Sequence, residues 1–164
     1  MLNIVTGPVN SGKTSLMKRI YCGFEPGTAD GIVSEKVFVG GRFTGYRLAR
    51  LCNGQAVLLA VKQAEYHNQF TAACRYGDFV FSQEGILFCE GIMEGLLVDS
   101  DIKVVFLDEA GPLELRGRCF DTIIRRLLTS DKVLYITVRE CCVEDFAERY
   151  KIYGYRLIRA QDIY

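Results

Sequence analysis

The chain has 164 residues, of which 49% are hydrophobic and 24% charged, and 20 basic side chains balance 20 acidic ones. This composition is typical of one globular domain, residues 1–164, and a net charge of zero argues against nucleic acid or a membrane surface as the main partner. The seven cysteines form no C-x-x-C pair, which disfavours a disulfide framework or a zinc site. We find neither a leader-like segment nor a long apolar run, so we expect a cytoplasmic protein.

The first third of the chain predicts a strand, a helix and a β-ribbon. Residues 2–6 are a short apolar run, and apolar residues at helical spacing follow until Gly23. β-branched and aromatic residues dominate positions 31–61, which we interpret as an antiparallel β-ribbon. We expect a two-residue turn at Asn53 and Gly54, because both central positions of such a turn favour positive φ.

The remainder of the chain alternates helices with buried strands. Ser82 is placed to cap a long helix that ends near Asp99, and Gly91 and Gly95 have the spacing that permits close packing on a sheet. Apolar patterns then predict strands at 102–107, 133–138 and 155–158 and helices at 120–128 and 143–150. The predicted fold class is α/β, with three layers, a mainly parallel central sheet and the antiparallel β-ribbon of residues 31–61 inserted.

One motif carries a specific chemical prediction. The segment from Gly7 to Thr14 fits G-x-x-x-x-G-K-[ST], and it follows a predicted strand and opens a predicted helix. In such a P-loop, backbone N–H groups form a nest for phosphates, Lys13 reaches the β and γ phosphates, and the Thr14 hydroxyl binds Mg²⁺. We therefore expect a P-loop NTPase fold. Its phosphate-binding residues are Gly7, Pro8, Val9, Asn10, Ser11, Gly12, Lys13, Thr14 and Ser15.

Two carboxylates follow the predicted strand 102–107. Asp108 and Glu109 lie where that strand ends, and parallel sheets bind ligands at the carboxyl ends of their strands. We expect Asp108 to complete the Mg²⁺ coordination through a water, and Glu109 to orient or deprotonate the water that attacks the γ phosphate. Thr137 ends the next strand and is a candidate for hydrogen bonding to that water or phosphate. The predicted catalytic residues are therefore Glu109, Lys13 and Thr137.

Two arginines are candidates for the cation that stabilises the transition state. Arg116 and Arg118 follow the acidic pair by a few residues, and an arginine on the γ phosphate contributes several orders of magnitude in rate. An arginine in such a loop is more often a solvated surface charge. Both interpretations stay open at this point.

The acidic segment resembles a known family signature. Residues 108–115, Asp-Glu-Ala-Gly-Pro-Leu-Glu-Leu, are similar to the DEIGxMEL signature of the small nucleoside-triphosphatases of the thermophile and cancer-related type. The resemblance covers most of the chain. It includes the P-loop, Ser34-Glu35, Arg42 with Gly45-Tyr46, and Ile136-Thr137-Val138.

This resemblance implies Mg²⁺-dependent hydrolysis of nucleoside triphosphates, whether ATP, GTP or others, to diphosphate and phosphate, with broad tolerance of the base. The chain departs from the family at two positions. Pro112 stands where some relatives carry a lysine, and Arg139 follows Val138 where the family often has Ile-Pro. If that lysine contributes charge in the relatives, another cation must replace it here.

Three functional classes are compatible with these motifs. The favoured one is a nucleoside-triphosphatase. A small-molecule or nucleotide kinase would need an acceptor pocket and usually an arginine-rich lid, and no arginine-dense insertion is present. A nucleotide-dependent binding module for cofactor assembly is the third. Asp108 and Gly111 also fit the D-x-x-G of GTP switch proteins, but without an Asn-Lys-x-Asp string, specificity for guanine alone is unsupported.

Overall fold

A computed structural model describes residues 1–163; Tyr164, the last residue of the predicted domain, lies outside the described residues. Within residues 1–163 the chain forms nine strands and five α-helices. The strands are β1 (Leu2–Thr6), β2 (Ala29–Val39), β3 (Arg42–Arg50), β4 (Ala56–Lys62), β5 (Ala72–Tyr76), β6 (Phe79–Ser82), β7 (Val104–Ala110), β8 (Val133–Val138) and β9 (Arg156–Arg159). The helices are α1 (Lys13–Tyr21), α2 (Gln83–Val98), α3 (Pro112–Leu115), α4 (Asp121–Leu128) and α5 (Val143–Arg149).

The strands form one mixed sheet in the order β5-β6-β4-β3-β2-β7-β8-β1-β9. Strands β2, β7, β8, β1 and β9 pair in parallel, whereas β2 to β6 pair antiparallel. The sheet is therefore not mainly parallel, and the predicted ribbon is not a separate insertion. The reason is the length of β2, which pairs with β7 along Ala29–Ile32 and continues as the first strand of the antiparallel part.

Helices cover both faces of the sheet. Neighbouring residues of one strand point to opposite faces, so Ile4 packs with the cluster that includes α2, α4 and α5, whereas Val5 packs with the cluster that includes α1. In β7, Val105 likewise packs with the cluster that includes α2, α4 and α5, and Phe106 with the cluster that includes α1. Among the described residues, every helix is too short or too polar to cross a bilayer.

The turn between β3 and β4 differs from the prediction. It spans five residues, Leu51 to Gln55, and of the expected pair only Gly54 has a positive φ, at 71°. Asn53 instead accepts a hydrogen bond of 2.9 Å from Gln55 N through its side chain. Contacts with β2 widen the turn, because Cys52 N donates to Asp30 Oδ1 at 3.1 Å.

Helix α2 confirms one prediction and contradicts another. Ser82 Oγ accepts a hydrogen bond of 3.0 Å from Gly85 N, as expected for an N-cap. Gly91 and Gly95 are exposed, and a Cβ added at either would have no atom within 4 Å, so their predicted packing on the sheet is wrong. Gly85 instead packs closely on the sheet, since a Cβ there would lie 2.5 Å from Leu58 O of β4.

Candidate active site

The loop between β1 and α1 surrounds a hollow lined by backbone. Gly7, Asn10 and Gly12 have φ values of 148°, 65° and 83°, which let the chain turn tightly before α1 begins at Lys13. Gly12 caps α1 without a side-chain hydrogen bond, so the first N–H groups of the helix are open to a ligand. This arrangement suits an anion.

Lys13 lies across its own loop. Its Nζ donates to Gly7 O at 2.9 Å and to Pro8 O at 2.8 Å. Burial lowers the pKa of Lys13, and the nearby carboxylates of Asp108 and Glu109 oppose that shift. Ser11 Oγ is buried without a hydrogen-bond partner among the described residues, so a polar atom beside the hollow is available to a ligand.

Asp108 is the most tightly held side chain of the site. Its Oδ2 accepts hydrogen bonds from Thr14 Oγ1 at 2.7 Å and from Ser34 N at 3.1 Å, and its Oδ1 accepts one from Thr137 Oγ1 at 2.6 Å. Burial raises the pKa of Asp108, and these hydrogen bonds oppose the shift. The end of β7 and the start of α1 therefore meet at one point.

Glu109 has an unusual backbone conformation. Its φ is 79°, a region that non-glycine residues seldom occupy, and its N donates to Thr137 Oγ1 at 2.5 Å. The side chain is 34% exposed and lines the same cavity as the P-loop. Burial in the cavity and then the Asp108 charge raise the pKa of Glu109. Such strain is found where the fold must aim a side chain.

Thr137 makes hydrogen bonds with both residues of the acidic pair. Its single hydroxyl proton is directed to Asp108, and its oxygen accepts the N–H of Glu109. A threonine hydroxyl has only one proton to donate. Thr137 therefore positions the carboxylate of Asp108 and the backbone of Glu109, and its hydrogen bond to the attacking water or the phosphate stays a prediction.

The site cavity has a volume of about 680 Å³. One wall is the P-loop and the other comes from β2 and β3, through Ser34, Glu35, Lys36 and Tyr46. Lys36 bridges the two walls, since its Nζ donates to Asn10 Oδ1 at 2.6 Å. The sequence alone marked Glu35 and Tyr46 only through the family resemblance, and it did not mark Lys36.

Neither predicted arginine lines this cavity. The Arg116 guanidinium lies 5.3 Å from the centre of the Tyr76 ring, and Arg118 lines a different cleft beside Cys74 and Cys119. A third arginine, Arg139, lines the site cavity, and its side chain is 49% exposed. Sequence reasoning noted Arg139 only as a departure from the family pattern. The sequence offered one signal for Arg139: it directly follows the predicted strand 133–138, which carries Thr137 near its end.

The residues present fit a hard divalent cation. The Thr14 hydroxyl and the Asp108 carboxylate, 2.7 Å apart, are oxygen ligands of the type that Mg²⁺ prefers, and they lie at the P-loop. Among the described residues no group of three or more His, Cys, Asp or Glu side chains is arranged so that it could hold a metal ion. A cation here would therefore take most of its remaining ligands from phosphate and water, as Mg²⁺ usually does.

Comparison with known sequences gives a consistent result. A family model described as NTPase matches residues 3–160. The nucleoside-triphosphatase THEP1 of Methanothermobacter thermautotrophicus is 29% identical, with 89% of this chain and 80% of that protein aligned. The nucleoside-triphosphatase THEP1 of Thermofilum pendens is 30% identical over 84% of this chain and 72% of that protein.

Two solved structures share the fold. The crystal structure of THEP1 from the hyperthermophile Aquifex aeolicus superposes with a TM-score of 0.77 at 23% identity, covering 99% of this chain and 94% of that one. The solution structure of a human cancer-related nucleoside triphosphatase gives a TM-score of 0.68 at 20% identity, covering 95% of this chain and 86% of that one. At these identities the likeness establishes the fold.

Proposed function

The chain belongs to the NTPase family and is a nucleoside-triphosphatase, and we propose that it converts nucleoside triphosphates to diphosphate and phosphate in a Mg²⁺-dependent reaction with broad tolerance of the base. The observation that carries this proposal is the hydrogen bond of 2.7 Å between Thr14 Oγ1 and Asp108 Oδ2. It joins the phosphate-binding loop to the acidic end of β7, which is the juxtaposition that triphosphate hydrolysis requires.

We assign phosphate binding to residues 7–15. The hydrogen bonds of Lys13 to Gly7 O and Pro8 O hold its ammonium over the loop. Phosphate oxygens are stronger acceptors than neutral carbonyls, so a bound triphosphate would draw Lys13 from the carbonyls onto its β and γ phosphates. The buried hydroxyl of Ser11 and the open N–H groups of α1 would add neutral donors.

We assign Mg²⁺ binding to Thr14 directly and to Asp108 through a water. A bound Mg²⁺ would neutralise charge on the β and γ phosphate oxygens. The hydrogen bonds from Ser34 N and Thr137 Oγ1 hold the Asp108 carboxylate in place, so little reorganisation is needed when a cation arrives.

We assign the activation of water to Glu109. Its strained backbone turns the carboxylate into the cavity, where it would orient the attacking water and accept its proton. The water oxygen forms the new bond to the γ phosphorus, and the bond from that phosphorus to the β–γ bridging oxygen breaks. The diphosphate leaves with the electron pair of the broken bond.

Broad base tolerance is supported by the lack of an Asn-Lys-x-Asp string for guanine. We further propose that residues 1–164 act as one domain, that the protein works in the cytoplasm, and that neither nucleic acid nor a membrane is its partner. The balanced charge of the chain supports the last point.

The test is phosphate release from ribo- and deoxyribonucleoside triphosphates, with and without Mg²⁺ and without an added acceptor. We expect release with several bases, and loss of release when Mg²⁺ is chelated. Lys13→Ala should lose triphosphate affinity, and Lys103→Ala, an exposed lysine far along the chain, is the matched control. If no phosphate is released in this assay and phosphoryl transfer occurs only once an acceptor is added, the kinase alternative replaces this proposal.

A further inference from the structure

The backbone of Arg139 is fixed beside the proposed catalytic carboxylate. Arg139 follows the last residue of β8, its N donates to Ala110 O at 3.3 Å, and its O accepts from Cys142 N at 2.8 Å. The first bond ties it to the end of β7, next to Glu109, and the second ties it to the 3₁₀ turn Glu140–Cys142. The base of this side chain is therefore held at the rim of the cavity.

The side chain of Arg139 crosses Gly111 and enters the site. A Cβ on Gly111 would lie 3.4 Å from Arg139 Nε, so the arginine packs directly over that residue. Its guanidinium NH2 nitrogen stands 3.9 Å from Glu109 Oε1. At that distance the two groups attract each other as charges without a hydrogen bond.

This contact is easily exchanged. Arg139 is 49% exposed, and an exposed ion pair contributes little free energy. Other cations near the cavity are more firmly engaged: Lys36 binds Asn10, and Arg47 binds Glu35 at 2.8 Å. Arg139 can therefore leave Glu109 for a more highly charged anion at little cost in free energy.

We propose that Arg139 is the transition-state cation of this enzyme, donating from its guanidinium to the γ phosphate as the bond to the β–γ bridging oxygen breaks. The inference rests on the proposed hydrolysis and adds to it the source of positive charge within the same chain. Bond formation, bond cleavage and the transfer of the water proton to Glu109 proceed as described above, while Arg139 keeps its own protons. Glu109 loses its attractive contact with Arg139 as the arginine turns to the phosphate.

The first experiment compares Arg139→Met, Arg139→Lys and the control Arg156→Met, which removes an exposed arginine of β9. We expect Arg139→Met to lower kcat by about a hundredfold or more with KM changed only a few fold, since an arginine finger acts in the transition state. Arg139→Lys should recover only part of kcat, because an ammonium cannot donate in the same fork. A loss in Arg139→Met smaller than tenfold would overturn the proposal.

The second experiment measures binding of nucleoside diphosphate with aluminium fluoride, which mimics the phosphoryl group in transfer. Arg139→Met should bind diphosphate alone as wild type does and should bind the fluoride complex far more weakly. Equal weakening of both ligands would contradict the proposal, because it would indicate a general change of the site. A dominant loss in Arg116→Met or Arg118→Met would assign the cation to those residues instead.

A pH profile separates direct action from an effect on Glu109. If Arg139 only held the charge of Glu109, the activity of Arg139→Met would recover at higher pH; we expect the loss to persist across the profile. Wild type that binds Mg²⁺ nucleotides but releases no phosphate would refute the proposed function itself. Wild type that hydrolyses at the same rate as Arg139→Met would refute only the role of Arg139.

Discussion

Thr137 Oγ1 donates a hydrogen bond of 2.6 Å to Asp108 Oδ1 and at the same time accepts the N–H of Glu109. One hydroxyl at the end of β8 therefore holds the carboxylate of Asp108 and the backbone of Glu109 at the end of β7. The two strands are direct neighbours in the sheet, so this contact crosses a single inter-strand gap.

We expect Thr137→Val to separate positioning from binding. The substitution keeps the shape of the side chain but leaves the N–H of Glu109 and one oxygen of Asp108 without a partner, which costs about 1–3 kcal/mol of stability. We expect kcat to fall at least about tenfold. Thr137→Ser retains the hydroxyl, so it should keep most of the stability and most of kcat. Chemical denaturation and steady-state kinetics measure the two effects, and equal behaviour of Val and Ser would remove the positioning role.

Glu109→Gln tests the proposed base. The amide keeps the size of the side chain but cannot accept a proton, so we expect turnover to fall about a hundredfold or more while Mg²⁺-nucleotide binding is retained. Binding is measured by calorimetry and turnover by phosphate release. Glu148→Gln, at an exposed position of α5, is the control. Undiminished turnover in Glu109→Gln would exclude this residue as the base.

Glu114 predicts a pH dependence of stability. It is 4% exposed and accepts a hydrogen bond of 2.8 Å from Gly111 N, and burial raises its pKa to about 7. The folded chain therefore binds a proton here more tightly than the unfolded chain does. Its contribution to the free energy of unfolding is complete below the unfolded pKa, near 4.5, and is lost as pH rises to about 7.

The measurement is urea denaturation of wild type and Glu114→Gln between about pH 4 and 8. Glutamine can still accept from Gly111 N but does not titrate. We expect wild type to lose up to about 3 kcal/mol relative to the variant as pH rises through this window. Parallel stability curves for the two proteins would show that Glu114 titrates as an ordinary carboxyl.

Two glycines of α2 should respond in opposite directions to the same substitution. Gly85→Ala would place a Cβ 2.5 Å from Leu58 O, so we expect a loss of roughly 1–3 kcal/mol. Gly91 is exposed and an added Cβ would have no atom within 4 Å, so Gly91→Ala should gain about 0.5–1 kcal/mol from helix propensity. Thermal denaturation of both variants is the measurement. A stabilising Gly85→Ala would mean that α2 does not press on β4.

Local patterns predicted the elements that the site requires. The apolar runs at 2–6 and 133–138 match the bounds of β1 and β8, and the P-loop string opens α1 as expected. Asp108 and Lys13 lie on the same rim because parallel strands end at the same edge. These predictions succeeded because each depends on a few consecutive residues.

Features that depend on distant contacts were not predicted. The hairpin of β5 and β6, which turns at Gly77 with a φ of 54°, has strands of only five and four residues, too short for a clear pattern. The place of Arg139 in the site depends on the hydrogen bond from its N to Ala110 O, which joins the ends of the neighbouring strands β8 and β7. The two-residue turn predicted at Asn53 and Gly54 was wrong, because a contact of the loop with β2 accompanies a turn of five residues.

Strand β2 has a consequence for how this molecule tolerates change. The same strand pairs with β7, donates from Ser34 N to Asp108, and through Lys36 touches Asn10. An extra residue between positions 29 and 34, where β2 pairs with β7 and reaches the carboxylate, would turn the side chains that follow it there to the opposite face and withdraw the Ser34 N–H from Asp108. Extra residues at the exposed positions 67–69, between β4 and β5, leave that geometry untouched, so the chain tolerates insertions there better than between positions 29 and 34.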